Sequence, residues 1–142
     1  ENATPFFPDV DEVESKPLEE RQDFWAQQFS RCIRCYACRQ VCPGCYCTEC
    51  FVERLDPLWV GIRIAPPENE LWNTIRAFHL AGRCIACGEC QRVCPMNIPL
   101  MLLNRKLEKD VQALFQFQAG MSPDAPAPFA TFKKDEHLEI EP

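Results

Sequence analysis

The sequence predicts an all-α fold. Three segments place apolar residues at helical spacing, no run alternates apolar and polar residues as a strand would, and proline or glycine punctuates the ends of these segments. Residues 1–17, with Pro5, Pro8 and Pro17 among scattered acids, follow neither period and read as an extended arm. From Leu18 to Arg31 the pattern changes: Leu18, Trp25 and Phe29 recur at helical steps beside Phe24. Glu19 and Glu20 sit in the first turn and Arg31 in the last, as the helix dipole favours. This first helix runs straight into Cys32.

A second helix is expected after Pro66-Pro67, with Glu68 and Glu70 early, Leu71, Ile75 and Phe78 on one face, and Gly82 as its stop, just before Cys84. The third follows Pro99, where Leu100, Leu103, Leu107, Val111 and Leu114 recur at steps of three and four. Beyond Gly120 the chain turns rich in proline, carries Phe129 and Phe132, and ends acidic. Such a segment cannot bury a core of its own, so it is expected to be disordered or laid along another protein. The plan is an arm at 1–17, one helical domain at 18–118 with a cysteine-rich insertion at 43–66, and a tail at 119–142.

A chain of 142 residues suits one compact domain with room for tails. Its net charge of −6 is dispersed and no basic run exceeds Lys133-Lys134, which argues against nucleic-acid binding. The most apolar stretch, Ile98 to Leu103, is far too short to span a bilayer, so a soluble chain is expected. The opening Glu1-Asn2-Ala3-Thr4 has no basic and apolar signal region, and a reducing, cytoplasmic location is expected.

Eleven cysteines, all between Cys32 and Cys94, need their own explanation. Disulfides, zinc and iron–sulfur clusters compete, and spacing separates them. Cys32-Ile33-Arg34-Cys35-Tyr36-Ala37-Cys38-Arg39-Gln40-Val41-Cys42-Pro43 aligns without a gap with Cys84-Ile85-Ala86-Cys87-Gly88-Glu89-Cys90-Gln91-Arg92-Val93-Cys94-Pro95. Three thiolates at two-residue gaps wrap one face of a [4Fe–4S] cubane, and the fourth Cys of the run points to the other cluster. Two runs therefore make two crossed sites: Cys32, Cys35, Cys38 and Cys94 for the first cluster, and Cys84, Cys87, Cys90 and Cys42 for the second. Pro43 and Pro95 close the runs by removing a backbone donor. Structural zinc seldom uses three Cys at successive two-residue gaps followed by Cys-Pro, and disulfides have no reason to repeat the pattern. Each cluster receives four protein ligands, which closes its irons to substrate and leaves outer-sphere electron transfer.

The doubled motif resembles the bacterial-type two-cluster ferredoxins. Its helical surroundings, roughly Phe24 to Phe115, are most similar to the α-helical ferredoxin domains of succinate dehydrogenase and heterodisulfide reductase iron–sulfur subunits. Compact βαβ ferredoxins space their runs more closely, whereas 41 residues, including an expected helix, separate Cys42 from Cys84 here. The resemblance implies a conduit inside an oxidoreductase, taking electrons from a flavin, metal centre or carrier and passing them on.

Cys45, Cys47 and Cys50 are surplus to that pattern. Three readings stand: a third [4Fe–4S] cluster with a fourth ligand from His79, an acid or a partner chain; a zinc clip closing the insertion; or buried free thiols. His79 shares a helix with Leu71, Ile75 and Phe78, where a histidine is more often packed or solvent-facing than a ligand. Trp25, Trp59 and Trp72 read as core or interface anchors. Arg34, Arg39, Arg83 and Arg92 flank the runs, where they would offset cluster charge.

No nucleotide fingerprint, P-loop or catalytic triad pattern is present, so no catalytic residue is assigned and the chain is not expected to be an enzyme by itself. The leading expectation is an electron-transfer subunit of an anaerobic-type oxidoreductase, partnered by larger flavin-, molybdenum/tungsten- or hydrogenase-type subunits. A diffusible ferredoxin and a zinc-binding interaction module are the alternatives.

Overall fold

The computed structural model describes residues 6–132 and residue 134. Six α-helices are arranged in chain order, α1 (Pro8–Glu14), α2 (Leu18–Ser30), α3 (Ala37–Gln40), α4 (Pro66–Leu80), α5 (Glu89–Arg92) and α6 (Leu100–Phe115), with 3-10 turns at Phe51–Glu53 and Pro128–Ala130. No strand occurs among the described residues; Leu55 and Leu58 make one isolated bridge. None of these helices is long and apolar enough to cross a membrane.

The helices expected at Leu18, after the Pro66-Pro67 pair and after Pro99 all form. In α4, Pro66 opens the helix where a missing N–H costs nothing, and Glu68 lies in its first turn. α2 packs on α4, α4 on α6, and the short α3 and α5 pack on each other. The last contact brings the two cysteine runs together. Trp72, Ile98, Leu100, Cys38 and Cys90 form the buried cluster between them.

Two segments differ from expectation. Residues Pro8–Glu14, read as extended, are a helix. A seven-residue helix has too few turns to display a period, and on its own would be marginal. It is held from outside: Asp9 pairs with Arg105 at 2.9 Å, Glu14 with Lys106 at 2.6 Å and Asp11 with Lys109 at 2.6 Å, while Val10 is buried. At the other end, Pro128–Ala130 folds back onto the chain itself. Phe129 stacks on Phe78 and meets Phe115 edge-on, with ring centroids 6.4 and 5.8 Å away. The tail thus closes over the ends of α4 and α6. Gly82 permits this approach: its φ is +73°, and a Cβ there would stand 2.8 Å from Pro128 Cδ. The acidic terminus and the first five residues of the chain lie outside the described residues.

The buried face of α4 is not the apolar one. Leu71 and Phe78 are exposed, and the residues turned inward are Asn69, Trp72, Asn73, Arg76, Ala77 and Leu80. Hydrogen bonding explains the inversion. Asn69 Nδ2 donates to Phe29 O at 3.0 Å and to Cys32 O at 2.7 Å, tying off α2 and holding the first cysteine. Arg76 donates to Cys38 O at 3.0 Å. Asn73 donates within the helix, to Asn69 O at 2.8 Å, so each of these inward side chains satisfies a backbone carbonyl, which is what makes its burial tolerable.

Candidate iron–sulfur sites

The sequence repeat is also a backbone repeat. Arg34 and Tyr36 in the first run have φ of 46° and 57°, and Ala86 and Gly88, at the equivalent places in the second, have 56° and 80°. Left-handed residues at both positions curl each run into a tight loop, and three of the four carry side chains that resist this conformation. Tyr36 gains a compensating contact by packing edge-on against Trp72, centroids 4.9 Å apart. In both runs the middle cysteine, Cys35 or Cys87, is exposed and the third, Cys38 or Cys90, is buried.

Cys32, Cys35, Cys38 and Cys94 line one cavity, closed by Trp72 and Ile98. The fourth member comes from the second run, 56 residues after Cys38. On the other side, Cys84, Cys90 and Cys42 lie within electrostatic reach of one another, with Cys87 on the same loop. All eleven thiols are unbridged.

Burial pushes the Cys38 thiol up to about 11, and raises Cys84 and Cys90 as well. Cys42 is the exception. The neighbouring Cys45 thiol lowers it, and Cys45 is raised in return. Backbone N–H groups also point at sulfur, as at Arg34 N to Cys32 Sγ, 3.4 Å. Asn104, itself buried, donates from Nδ2 to Cys90 Sγ at 3.6 Å.

Arg76 is the charge that the flanking-arginine expectation missed. It is 4% exposed, its Nε has no partner, and its guanidinium faces the thiols of Cys38, Cys45, Cys90 and Cys42. A buried, uncompensated cation costs several kcal/mol. Protonated thiols do not compensate it, whereas thiolates bound to an anionic cluster do. The donor set and this unmatched charge both fit iron–sulfur clusters. The expected flanking arginines are otherwise occupied. Arg34 donates to Gly61 O at 2.6 Å, to Ile62 O at 2.9 Å and to Arg63 O, pinning the insertion to the first loop. Arg39 pairs with Glu53 at 2.8 Å, Arg92 with Glu89, and Arg83 lies over the Tyr46 ring. Of the tryptophans, Trp72 is core at 1% exposure, Trp25 stacks on Phe29 and Trp59 is exposed.

Residues 31–99 match the family described as the 4Fe-4S dicluster domain. The chain carries a dicluster ferredoxin domain. With that domain come two [4Fe–4S] clusters. The chain is 34% identical over 119 residues to the F420-dependent formate dehydrogenase subunit beta of Methanocaldococcus jannaschii, a match covering 82% of this chain and 31% of the relative. To F420-dependent formate dehydrogenase 1 subunit beta of Methanococcus maripaludis it is 34% identical over 119 residues, covering 82% of this chain and 30% of that protein. A shorter match, 59% identity over 29 residues, joins it to putative ferredoxin-3 of Sinorhizobium fredii, covering 20% of this chain and 28% of that one. The chain spans less than a third of the length of the formate dehydrogenase subunits it matches. Among the described residues no three Cys, His, Asp or Glu side chains lie close enough to hold a single metal ion.

Proposed function

We propose that the chain is the electron-relay module of a multi-subunit oxidoreductase, not a catalyst by itself. Cys32, Cys35, Cys38 and Cys94 hold one cluster; Cys84, Cys87, Cys90 and Cys42 hold the other. The observation that carries this is the shared cavity of Cys32, Cys35, Cys38 and Cys94, because it joins the end of one run to the start of the other. When bound, the clusters supply one-electron storage at two adjacent points. The protein's own residues keep those points closed: four thiols per site leave no open iron position for substrate, Trp72 and Ile98 wall the first site from water, and Arg76 places positive charge between the two.

The formate dehydrogenase relatives point to the setting. Their names, F420-dependent formate dehydrogenase subunits, set the relay between formate oxidation on a larger partner subunit and the carrier F420. The spare thiols and their redox role suit a reducing, anaerobic cytoplasm. Anaerobic purification with iron, sulfide and zinc analysis tests the reading. At least about eight irons and eight sulfides per chain are expected, with two interacting reduced-cluster EPR signals. Zinc without iron would reduce the domain to an interaction module. Co-purification with larger redox subunits separates the relay from a diffusible ferredoxin.

A further inference from the structure

The dicluster family accounts for eight of the eleven cysteines. The other three are gathered. Cys45, Cys47 and Cys50 line one cavity together with His79, Arg76 and Arg83. We propose that this cavity is a third iron–sulfur site, a [4Fe–4S] cluster held by Cys45, Cys47 and Cys50, with His79 as the fourth ligand.

Four observations carry the inference. First, Cys47 is exposed, as Cys35 and Cys87 are in the two runs, while Cys45 and Cys50 are half-buried. Second, the three thiols are not gathered as a single ion would need. No three of the described side chains are close enough for a single cation, and this holds equally for the eight thiols of the dicluster sites. A zinc ion would draw its sulfurs to within about 2.3 Å of one centre. Third, the cavity is lined by basic side chains and no carboxylate, which suits an anionic cluster. Fourth, the loop is fastened where the ligands need it: Glu53 accepts from Cys50 N at 2.9 Å and is held in turn by Arg39, while the His79 ring packs edge-on against Phe51, centroids 5.4 Å apart.

The position gives the site a role. The Cys45 backbone N–H donates to Cys42 O at 3.1 Å, which sets Cys45 beside a ligand assigned to the second cluster. Trp72 lines both this cavity and that of the first cluster. α4, through Trp72 and Arg76 on its buried face and the exposed His79 at the edge of that face, therefore borders all three sites. The third site extends the relay outward through Cys47, and assembly consumes four ferrous or ferric ions and four sulfides while the three thiols release their protons.

Reconstitution of the full chain with iron and sulfide under anaerobic conditions, followed by metal and sulfide analysis, provides the test. About twelve irons per chain are expected, against about eight for two clusters. Cys47→Ser, at an exposed position, and the triple serine variant of Cys45, Cys47 and Cys50 should each bring the count to about eight with both original EPR signals intact. His79→Ala should keep the count but change the spectrum of one cluster alone and release one of its irons on oxidation. A wild-type count of about eight, or stoichiometric zinc with about eight irons, overturns the third site and leaves the two-cluster reading in place. Loss of the second cluster's signal in Cys47→Ser also overturns it, since that thiol would then belong to the second site. A wild-type count near zero would instead overturn the two-cluster reading itself.

Discussion

Arg76 donates to the backbone carbonyl of Cys38 at 3.0 Å from the buried face of α4. That single hydrogen bond sets a full positive charge within reach of thiols from both cysteine runs, and no carboxylate among the described residues forms an ion pair with it. A charge so placed favours the reduced, more negative form of each cluster and so raises both potentials.

Replacing Arg76 by Met should therefore lower both potentials. A unit charge roughly 7 Å away contributes about 2 kcal/mol at an effective dielectric of about 20, which for one electron corresponds to a shift on the order of 100 mV. Arg76→Lys retains the charge and should stay near wild type. EPR-monitored redox titration measures both. A shift in one cluster only would show that the charge is not shared.

Cys42→Ala should abolish the cluster that uses Cys84, Cys87 and Cys90 and spare the one that uses Cys32. The iron content should fall by about four per chain, with the EPR signal of the Cys32 cluster intact. Loss confined to the Cys32 cluster would contradict the crossed assignment.

Asn104→Leu removes the donor to Cys90 Sγ while filling a similar volume. One hydrogen bond of about 0.5–1 kcal/mol is roughly 20–40 mV for one electron, so one potential should fall by that amount and the other should not move. Equal shifts in both would assign the effect to a general change of packing.

The docking of α1 should be pH-dependent. Hydrogen bonds from Lys106 and then Lys109 hold the Glu14 carboxyl below its ordinary value of 4.5. A carboxylate depressed in the folded state contributes stability above its unfolded pKa and loses it as pH falls through the folded value. Amide protection in Pro8–Glu14 should accordingly be steady from pH 7 to about 5 and fall below about 4, ahead of α6. Glu14→Gln should remove this pH dependence and leave α1 weakly protected throughout. Because Glu14 is partly solvated, the loss should stay below about 1 kcal/mol and shrink further in salt.

These effects involve residues that differ in how openly the sequence displays them. The thiol spacing repeats along the chain, so the eight motif cysteines stand out without a fold, and the apolar steps of α6 predict a helix that forms. α4 also forms as expected, but its orientation does not follow its apolar residues. Asn69, Asn73 and Arg76 look like a solvated face, and only the carbonyls of Phe29 and Cys38, brought near by loops, turn that face inward. Arg34 was read for its charge, yet its guanidinium is committed to a stretch of chain 27 to 29 residues away. α1 was hidden because its stability comes from the charges of α6 and not from its own seven residues. The one signal that could have revealed Arg76 is its i+4 relation to Trp72, which extends the Asn69-to-Leu80 stripe.

The pairing of an exposed Cys35 with a buried Cys38, matched by Cys87 with Cys90, gives each cluster an outer corner and an inner one. The inner corners meet where α3 packs on α5, and the outer ones are already at the surface. A conductor with both terminals exposed needs no hinge to admit or release its charge. Throughput is then set by how long a partner stays docked against each terminal, and the domain can be rigid without being slow.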